Sequence, residues 1–203
     1  MKNIIFDFDG TIADVLDPGV EIINQISKKF NFKKKITKKL VRSFTLAQIV
    51  EELKISRLKL FFILIEAKKE LNKVMNQVQP FPGMRETIEE LSKTHNLYIM
   101  SSNSRENIMI FLENHKMVPY FKCVVTSPFV FQKHRKINQL IKSESLDRND
   151  CIYVGDEKRD ILAAKKSRIK VAIVTWGFDD EKISAEAKPD SLIRHPKELL
   201  KLV

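Results

Sequence analysis

The first fourteen residues constrain the fold most strongly, because an apolar run ends abruptly in two closely spaced carboxylates. The segment Ile4–Asp14 reads Ile-Ile-Phe-Asp-Phe-Asp-Gly-Thr-Ile-Ala-Asp. Alternate residues of a strand point the same way, so Asp7 and Asp9 are predicted to emerge together where a strand ends. Two like charges this close are unfavourable unless a cation or a shared proton compensates them. Mg²⁺ is the predicted cation, because hard cations prefer oxygen ligands; the alternative is an ordinary strand end that turns on Asp and Gly.

Apolar strand-like runs alternate with helix-like segments through the second part of the chain. Strands are predicted over 97–100, 123–125, 151–154, 171–174 and 191–193, and helices over 84–94, 105–115, 134–143, 160–167 and 196–203. This alternation is typical of βαβ units. It predicts an α/β fold with a Rossmann-like, doubly wound parallel sheet whose two faces are covered by helices.

A helical segment separates the predicted first strand, residues 1–9, from all the others. Helices are expected over 20–30, twice within 37–53, and over 56–78, where apolar residues repeat with a period near 3.6. A basic connector, 31–35, lies between the first two, and the prolines and glycine of 80–83 end the helical pattern. We therefore predict an α/β core domain, residues 1–15 and 81–203, with a small all-helical cap domain, residues 16–80, inserted after the first strand.

The charge of the chain is concentrated in the predicted cap. The formal net charge is +10, and residues 16–80 contain 14 Lys and Arg against 6 Asp and Glu. A basic segment of this kind attracts anions and so favours the binding of phosphorylated ligands or nucleic acid. The alternative is a lysine-rich surface that serves solubility.

Targeting and redox signals are sparse. Only Met-Lys-Asn precedes the first apolar run, which is not the layout of a signal peptide, and the longest apolar run, 60–65, is too short to span a bilayer. Cys123 and Cys151 lack the spacing of a zinc motif and are predicted to be buried free thiols. We expect a soluble, cytoplasmic protein without a membrane partner.

Polar residues follow four of the predicted strands. In open α/β sheets, ligands bind beyond the carboxyl ends of the strands, so these residues are expected to converge on one edge. They comprise a carboxylate pair, a hydroxyl with an amide, a cation, and a second carboxylate pair: Asp7 and Asp9, Ser102 and Asn103, Lys133, and Asp156 and Asp160.

This ordered set resembles the haloacid dehalogenase-like hydrolase superfamily, over nearly the whole chain. Asp7-Phe8-Asp9-Gly10-Thr11 is similar to its first motif, Ser102 to its second, Lys133 to its third, and Gly155-Asp156 with Asp160 to its fourth. The ending 174–178, followed by 188–190, resembles the phosphoglycolate phosphatase-like branch. The position of the predicted cap, after the first motif, is similar to that in the members with a helical cap.

The resemblance implies a Mg²⁺-dependent phosphomonoester hydrolase. Asp7 would be the nucleophile that forms an aspartyl-phosphate, and Asp9 the general acid and then the general base. Asp7, the backbone carbonyl of Asp9, and Asp156 would hold the metal, with Asp160 as a further ligand or as a partner of a metal-bound water.

The same resemblance implies how the phosphoryl group would be bound. Ser102 and the backbone N–H groups near Asn103 and Gly10 would bind its oxygens, and Lys133 would offset the charge of the nucleophile and the phosphate together. The implied substrate is a small phosphorylated metabolite.

Several of these residues have simpler interpretations. Ser102 is also a candidate cap for the helix that begins near Arg105, and Asp156 a candidate turn residue. Lys136 competes with Lys133 for the lysine role. Gln132 and His134 flank Lys133 where the family often has a small residue and a proline.

Other functions compete with the phosphatase. A phosphomutase would share the same core, whereas a dehalogenase would not need the acid Asp9. A nucleic-acid-binding protein, or a phosphatase of nucleic-acid ends or nucleotides, would use the basic cap. The cap phenylalanines, however, are predicted to pack in its core rather than to stack on bases (Phe30, Phe32, Phe44, Phe61 and Phe62). The sequence leaves the substrate and the oligomeric state open.

Overall fold

The computed structural model describes residues 1–30, 35–127 and 133–202, and it contains a six-stranded, fully parallel sheet. The strand order is β3-β2-β1-β4-β5-β6. The strands are β1 (Asn3–Phe6), β2 (Asn96–Ser101), β3 (Cys123–Thr126), β4 (Cys151–Gly155), β5 (Lys170–Val174) and β6 (Ser191–Ile193). The predicted fold class is confirmed.

The helices fall into two groups along the chain, one between residues 16 and 72 and one from residue 84 onward. The first group is α1 (Leu16–Lys29), α2 (Lys38–Ser43), α3 (Leu46–Glu52) and α4 (Arg57–Asn72). The second is α5 (Met84–Ser92), α6 (Arg105–Asn114), α7 (Lys133–Ser143), α8 (Lys158–Lys166) and α9 (Glu181–Glu186). Short 3-10 helices cover Val118–Tyr120, Arg148–Asp150 and Pro196–Lys201.

Each face of the sheet carries its own hydrophobic core. Ile4, Phe6 and Ile99 belong to one core, and Ile5, Tyr98 and Tyr153 to the other, as the alternation of side chains along a strand requires. The central strand β1 pairs with β2 on one side and β4 on the other. The strand order therefore reverses between β1 and β4, which is where ligands bind in doubly wound sheets.

Two chain segments connect the sheet to helices α1–α4, and they run side by side. The amide of Asp14 donates to the carbonyl of Gln79 at 2.9 Å, and the amide of Phe81 donates to the carbonyl of Ile12 at 3.0 Å. Of the predicted basic connector, residues 31–34 lie outside the described residues; so do Phe32, which belongs to this segment, and Gln132.

The structure corrects the predicted end of the longest helix. The 56–78 segment is α-helical only as far as Asn72, and the amides of Lys73, Val74 and Met75 then donate to carbonyls three residues earlier. Met75 and Val78 are nevertheless buried in a core. The apolar period therefore continued through a tighter, irregular turn, because burial sets the spacing of apolar residues whether or not the backbone stays helical.

The predicted packing of the cap phenylalanines is wrong at three positions. Phe44, Phe61 and Phe62 are exposed, and Phe61 and Phe62 form an exposed row on α4 with Leu58 and Ile65. The spacing of this row is the same as that of the buried row, so periodicity alone did not separate the two faces of α4.

Smaller differences concern the thiols and the chain end. Cys151 is buried as predicted, but Cys123 is partly exposed on β3. The closing helix is a 3-10 helix, Pro196–Lys201, and the short helix α9 was not predicted. Among the helices of the described ranges, none combines the length and the apolar character needed to cross a membrane.

Candidate active site

The two central strands bring the first and fourth motifs together. Asp7 follows β1 directly and Asp156 follows β4 directly, and the amide of Asp7 donates to the carbonyl of Val154 at 2.7 Å. Each of four buried residues, Asp7, Asp156, Glu157 and Asp160, offers a carboxylate oxygen, and these oxygens lie within 4.8 Å of one another. Asp7, Asp156 and Asp160, three of the acidic residues predicted at this edge of the sheet, therefore lie in one cluster with Glu157, and Asp9 lies outside it.

Lys133, the first residue of α7, lies inside this acidic cluster. Its Nζ donates to Oδ2 of Asp7 at 2.7 Å and to Oδ1 of Asp160 at 2.6 Å, and it is 5.5 Å from the ring centre of Tyr153. Burial disfavours the ammonium, but Asp160 and Asp7 outweigh it and hold the pKa of Lys133 well above its ordinary value. Lys136, in contrast, donates to Gln139 at the surface.

Asp156 is held in position from two sides. The hydroxyl of Thr11 donates to its Oδ1 at 2.9 Å, and the amide of Phe178 donates to its Oδ2 at 2.8 Å. Gly10 has a φ of +79°, and a Cβ there would lie 2.3 Å from Oδ2 of Asp156. Only glycine fits at that position, because a side chain would collide with the carboxylate and strain the backbone.

Asp160 combines an ion pair with a helix cap. Its Oδ2 accepts the amides of Asp156 and Glu157 at 3.2 and 3.1 Å, in the first turn of α8. A carboxylate satisfies free amides at a helix start and interacts favourably with the helix dipole. Asp160 therefore orients the Asp156 loop as well as Lys133.

The second motif lies beside Asp9. Asn103 is buried, and its Nδ2 donates to Oδ1 of Asp9 at 2.8 Å. Ser102 lies in the loop between β2 and α6 and is partly exposed. The cap of α6 is Ser104, whose hydroxyl accepts the amide of Asn107 at 3.2 Å. The alternative interpretation of Ser102 as that cap is therefore wrong.

The site carries more negative than positive charge. Burial is the largest cause that raises the pKa of Asp9 to about 6 and the pKa of Glu157 to about 7, and it also raises the pKa of Asp156 well above its ordinary value. Neighbouring carboxylates raise all three further. Lys133 and Arg159 act in the opposite direction and lower the pKa of Asp9 and of Glu157. A buried set of oxygen donors with a deficit of positive charge fits a divalent cation.

Comparison with known proteins agrees with this geometry. The sequence profile of the family described as haloacid dehalogenase-like hydrolase matches residues 4–174. A phosphoglycolate phosphatase of Synechococcus elongatus is 33% identical over 206 residues, which cover 100% of this chain and 97% of that protein.

The chain belongs to the haloacid dehalogenase-like hydrolase family. The pyrophosphatase PpaX of Anoxybacillus flavithermus is 23% identical over 100% of this chain and 97% of its own. A family hydrolase from Streptococcus pneumoniae has a similar fold, with a TM-score of 0.83 and 23% identity over 100% of this chain and 98% of that one. This member of the family is an enzyme of the phosphatase type, as predicted.

Several residues at this hydrolase site were not singled out from the sequence. Glu157 belongs to the acidic cluster, and Arg159 binds Glu157 through Nε at 2.7 Å while its buried Nη1 has no hydrogen-bond partner among the described residues. The only sequence signal for either was proximity to Asp156. Lys68 on α4 is half-buried and close enough to Asp9 for attraction, although burial lowers the pKa of Lys68 overall. Nothing in its local sequence marked it.

Proposed function

We propose that the protein is a Mg²⁺-dependent phosphomonoester hydrolase that acts through an aspartyl-phosphate on a small phosphorylated metabolite. One observation carries the proposal: the buried carboxylate of Asp7 is paired with Lys133 at 2.7 Å, beside the further carboxylates of Asp156 and Asp160. A nucleophilic carboxylate must approach a phosphate dianion, and this is unfavourable unless positive charge is concentrated at the same point.

The chemistry requires two steps. In the first, an oxygen of Asp7 bonds to phosphorus, the bond from phosphorus to the leaving oxygen breaks, and Asp9 gives its proton to that oxygen. In the second, Asp9 takes a proton from a water molecule, whose oxygen bonds to phosphorus and releases phosphate and free Asp7. A pKa of about 6 for Asp9 suits both roles, because it can carry and accept a proton near neutral pH.

We assign the metal to Asp7, Asp156 and the backbone carbonyl of Asp9, with Asp160 as a further ligand or as a partner of a bound water. The carboxylate of Asp9 accepts from Asn103, and we therefore assign the backbone carbonyl of Asp9, rather than its carboxylate, to the metal. Bound Mg²⁺ would supply positive charge that offsets the phosphoryl oxygens. Thr11 supports the assignment, because groups that orient a ligand usually strengthen the binding of the metal.

We assign binding of the phosphoryl group to Ser102, Lys133, and the backbone N–H groups near Gly10 and Asn103. Ser102 directly follows β2 and is partly exposed, and it lies at the carboxyl-end edge of the sheet, as Asp9 does. Lys133 would neutralise the phosphoryl group as it bonds to Asp7. Backbone amides can approach closely at Gly10, because this residue has no side chain.

Residues 16–80 would form a cap over this site, and residues 1–15 and 81–203 the core. The paired crossings at Asp14 with Gln79 and at Ile12 with Phe81 support this division, since both connections pass through one narrow point. Such a point is suited to a hinge, and cap closure would exclude water from the reaction. Lys68 would bring a cation from the cap to the substrate.

The proposed substrate class follows the phosphoglycolate phosphatase relatives, which match this chain along its length. A small anionic ester also suits a basic cap. Pyrophosphate, sugar phosphates, nucleotides and phosphorylated oligonucleotides are the competing substrates that an assay must include.

The test measures phosphate release from this panel and from p-nitrophenyl phosphate, with Mg²⁺ and with EDTA. We expect turnover only with the divalent ion, highest kcat/KM for a small phosphate ester, and no measurable turnover for Asp7→Asn. The control is Glu113→Gln, which changes an exposed carboxylate near the C-terminal end of α6 and should keep wild-type turnover. Metal-independent turnover, or full activity of Asp7→Asn, would contradict the proposal.

A further inference from the structure

We infer that Asn107 is a positioning residue, which donates to Asn103 and so holds in place the side-chain amide that donates to the acid Asp9. The inference rests on the proposed function, because it gives Asp9 the role of acid and base. It extends that function by linking the acid to helix α4 of the proposed cap. Asn107 is fully buried in the first turn of α6 and touches none of the reacting atoms that we assign.

The chain of amides runs from α4 to Asp9 through three hydrogen bonds. Nδ2 of Asn72 donates to Oδ1 of Asn107 at 2.7 Å, and Nδ2 of Asn107 donates to Oδ1 of Asn103 at 2.9 Å. Nδ2 of Asn103 then donates to Oδ1 of Asp9 at 2.8 Å. Asn107 also donates to the backbone carbonyl of Lys68 at 3.1 Å, which attaches it to α4 a second time.

Two backbone groups fix the direction of this chain. The carbonyl of Lys68 can only accept, so the NH₂ group of Asn107 must face it. The amide of Ser104 can only donate, and it donates to Oδ1 of Asn103 at 2.8 Å. The carbonyl end of the Asn103 side chain is therefore already committed, and its NH₂ group must face Asp9.

This direction decides which oxygen of Asp9 carries the proton. Oδ1 accepts an N–H from Asn103, so a proton on the acid belongs on Oδ2. Oδ2 has no hydrogen-bond partner within the described residues, and the Asp9 side chain is partly exposed at the site. When the leaving oxygen takes the Oδ2 proton, the negative charge that develops on Asp9 strengthens the bond from Asn103.

A simpler role for Asn107 would be to clamp α4 onto α6. The chain offers a second clamp, exposed at the other end of the same helix, that is not connected to Asp9. Nδ2 of Asn114 donates to the carbonyl of Asn76 at 2.9 Å, and it also joins α6 to the segment that follows α4. Asn114→Ala is therefore the control for loss of an attachment alone.

The test compares kcat/KM for two substrates that differ in leaving group. Phosphoglycolate, an alkyl phosphate, needs a proton on the leaving oxygen, whereas p-nitrophenyl phosphate releases a stable anion and needs it much less. For Asn107→Ala we expect a loss of about 100-fold with phosphoglycolate and of about tenfold or less with p-nitrophenyl phosphate. Asn114→Ala should stay within about twofold of wild type with both substrates.

A second pair of variants keeps the test informative if Asn107→Ala does not fold. Asn107→Asp has almost the same shape and still accepts from Asn72, but its carboxylate cannot donate to Asn103 or to Lys68. Asn72→Ala changes a partly exposed residue at the outer end of the chain. We expect the same selective loss for Asn107→Asp and a smaller loss in the same direction for Asn72→Ala.

Equal losses with both substrates, or a loss in Asn114→Ala as large as that in Asn107→Ala, would overturn the inference and leave the proposed function intact. A wild-type protein without activity toward any phosphate ester would overturn the proposed function and this inference with it.

Discussion

Replacement of Asp9 by asparagine should stabilise the metal-free protein while it removes the proposed acid and base. Asp9 lies at a site where burial, and then the charge of Asp7, raise its pKa from 3.8 to about 6, although the bond from Asn103 acts in the opposite direction. The folded state therefore favours the neutral acid. Asparagine has the same shape, carries no charge at any pH, and keeps an oxygen that can accept from Asn103.

The magnitude follows from linkage between protonation and folding. A carboxyl whose pKa is raised on folding contributes its full stability below the unfolded value near 3.8, and that stability is lost as the pH rises through about 6. The raised pKa of Asp9 lowers the free energy of unfolding by about 3 kcal/mol at about pH 8, and by less than about 1 kcal/mol at about pH 4. Asp9→Asn should restore the stability that the charged Asp9 removes, so it should stabilise the protein much more at about pH 8 than at about pH 4.

The assay is urea unfolding in EDTA at these two pH values, because a bound cation would favour the charged carboxylate and hide the effect. Asp14→Asn, which changes an exposed carboxylate in the same segment, is the control for the replacement of a carboxylate by an amide. If Asp9→Asn changed stability equally at both pH values, or destabilised the protein at the higher one, the argument from buried charge would be refuted.

Two further predictions test residue roles at this site, and a third tests the burial of a thiol. Lys133→Ala should lower kcat/KM by about 100-fold or more, because the charge beside the nucleophile is lost, while Lys136→Ala stays within about twofold; the reverse order would transfer the role to Lys136. Thr11→Val should raise the Mg²⁺ concentration for half-maximal activity about tenfold, because Asp156 loses its hydroxyl donor, and an unchanged Mg²⁺ titration would count against this role. Burial raises the pKa of Cys151 to about 11, so its thiol should react with a disulfide reagent only after unfolding; rapid labelling of the folded protein would be inconsistent with that burial.

The sequence determined the parts of the protein that depend on local pattern and on the direction of the strands. Asp7 and Asp156 each follow an apolar run, and parallel strands present their carboxyl ends at one edge. The meeting of Asp7 with Asp156 was therefore predictable once the runs were identified as strands, whereas the addition of Glu157 to the acidic cluster was not. The family followed from the same residues, because its motifs stand at strand ends.

Tertiary structure decided everything that depends on which surfaces meet. Lys133 and Lys136 are close along α7, and only the placement of that helix against β4 and α8 puts one of them between Asp7 and Asp160. Lys68 and Asp9 are more than fifty residues apart in the sequence, and they approach each other because α4 packs beside α6. No local pattern contains that information.

The same reason explains why only one of the two apolar faces of α4 is buried. Its apolar residues repeat at helical spacing on two faces, and periodicity reports the spacing of a face but not its partner. One face is buried against its neighbours, while Phe61 and Phe62 remain exposed on the other. The amide chain through Asn107 is the extreme case, since each asparagine alone is an ordinary polar residue, and only the folded arrangement connects them to Asp9.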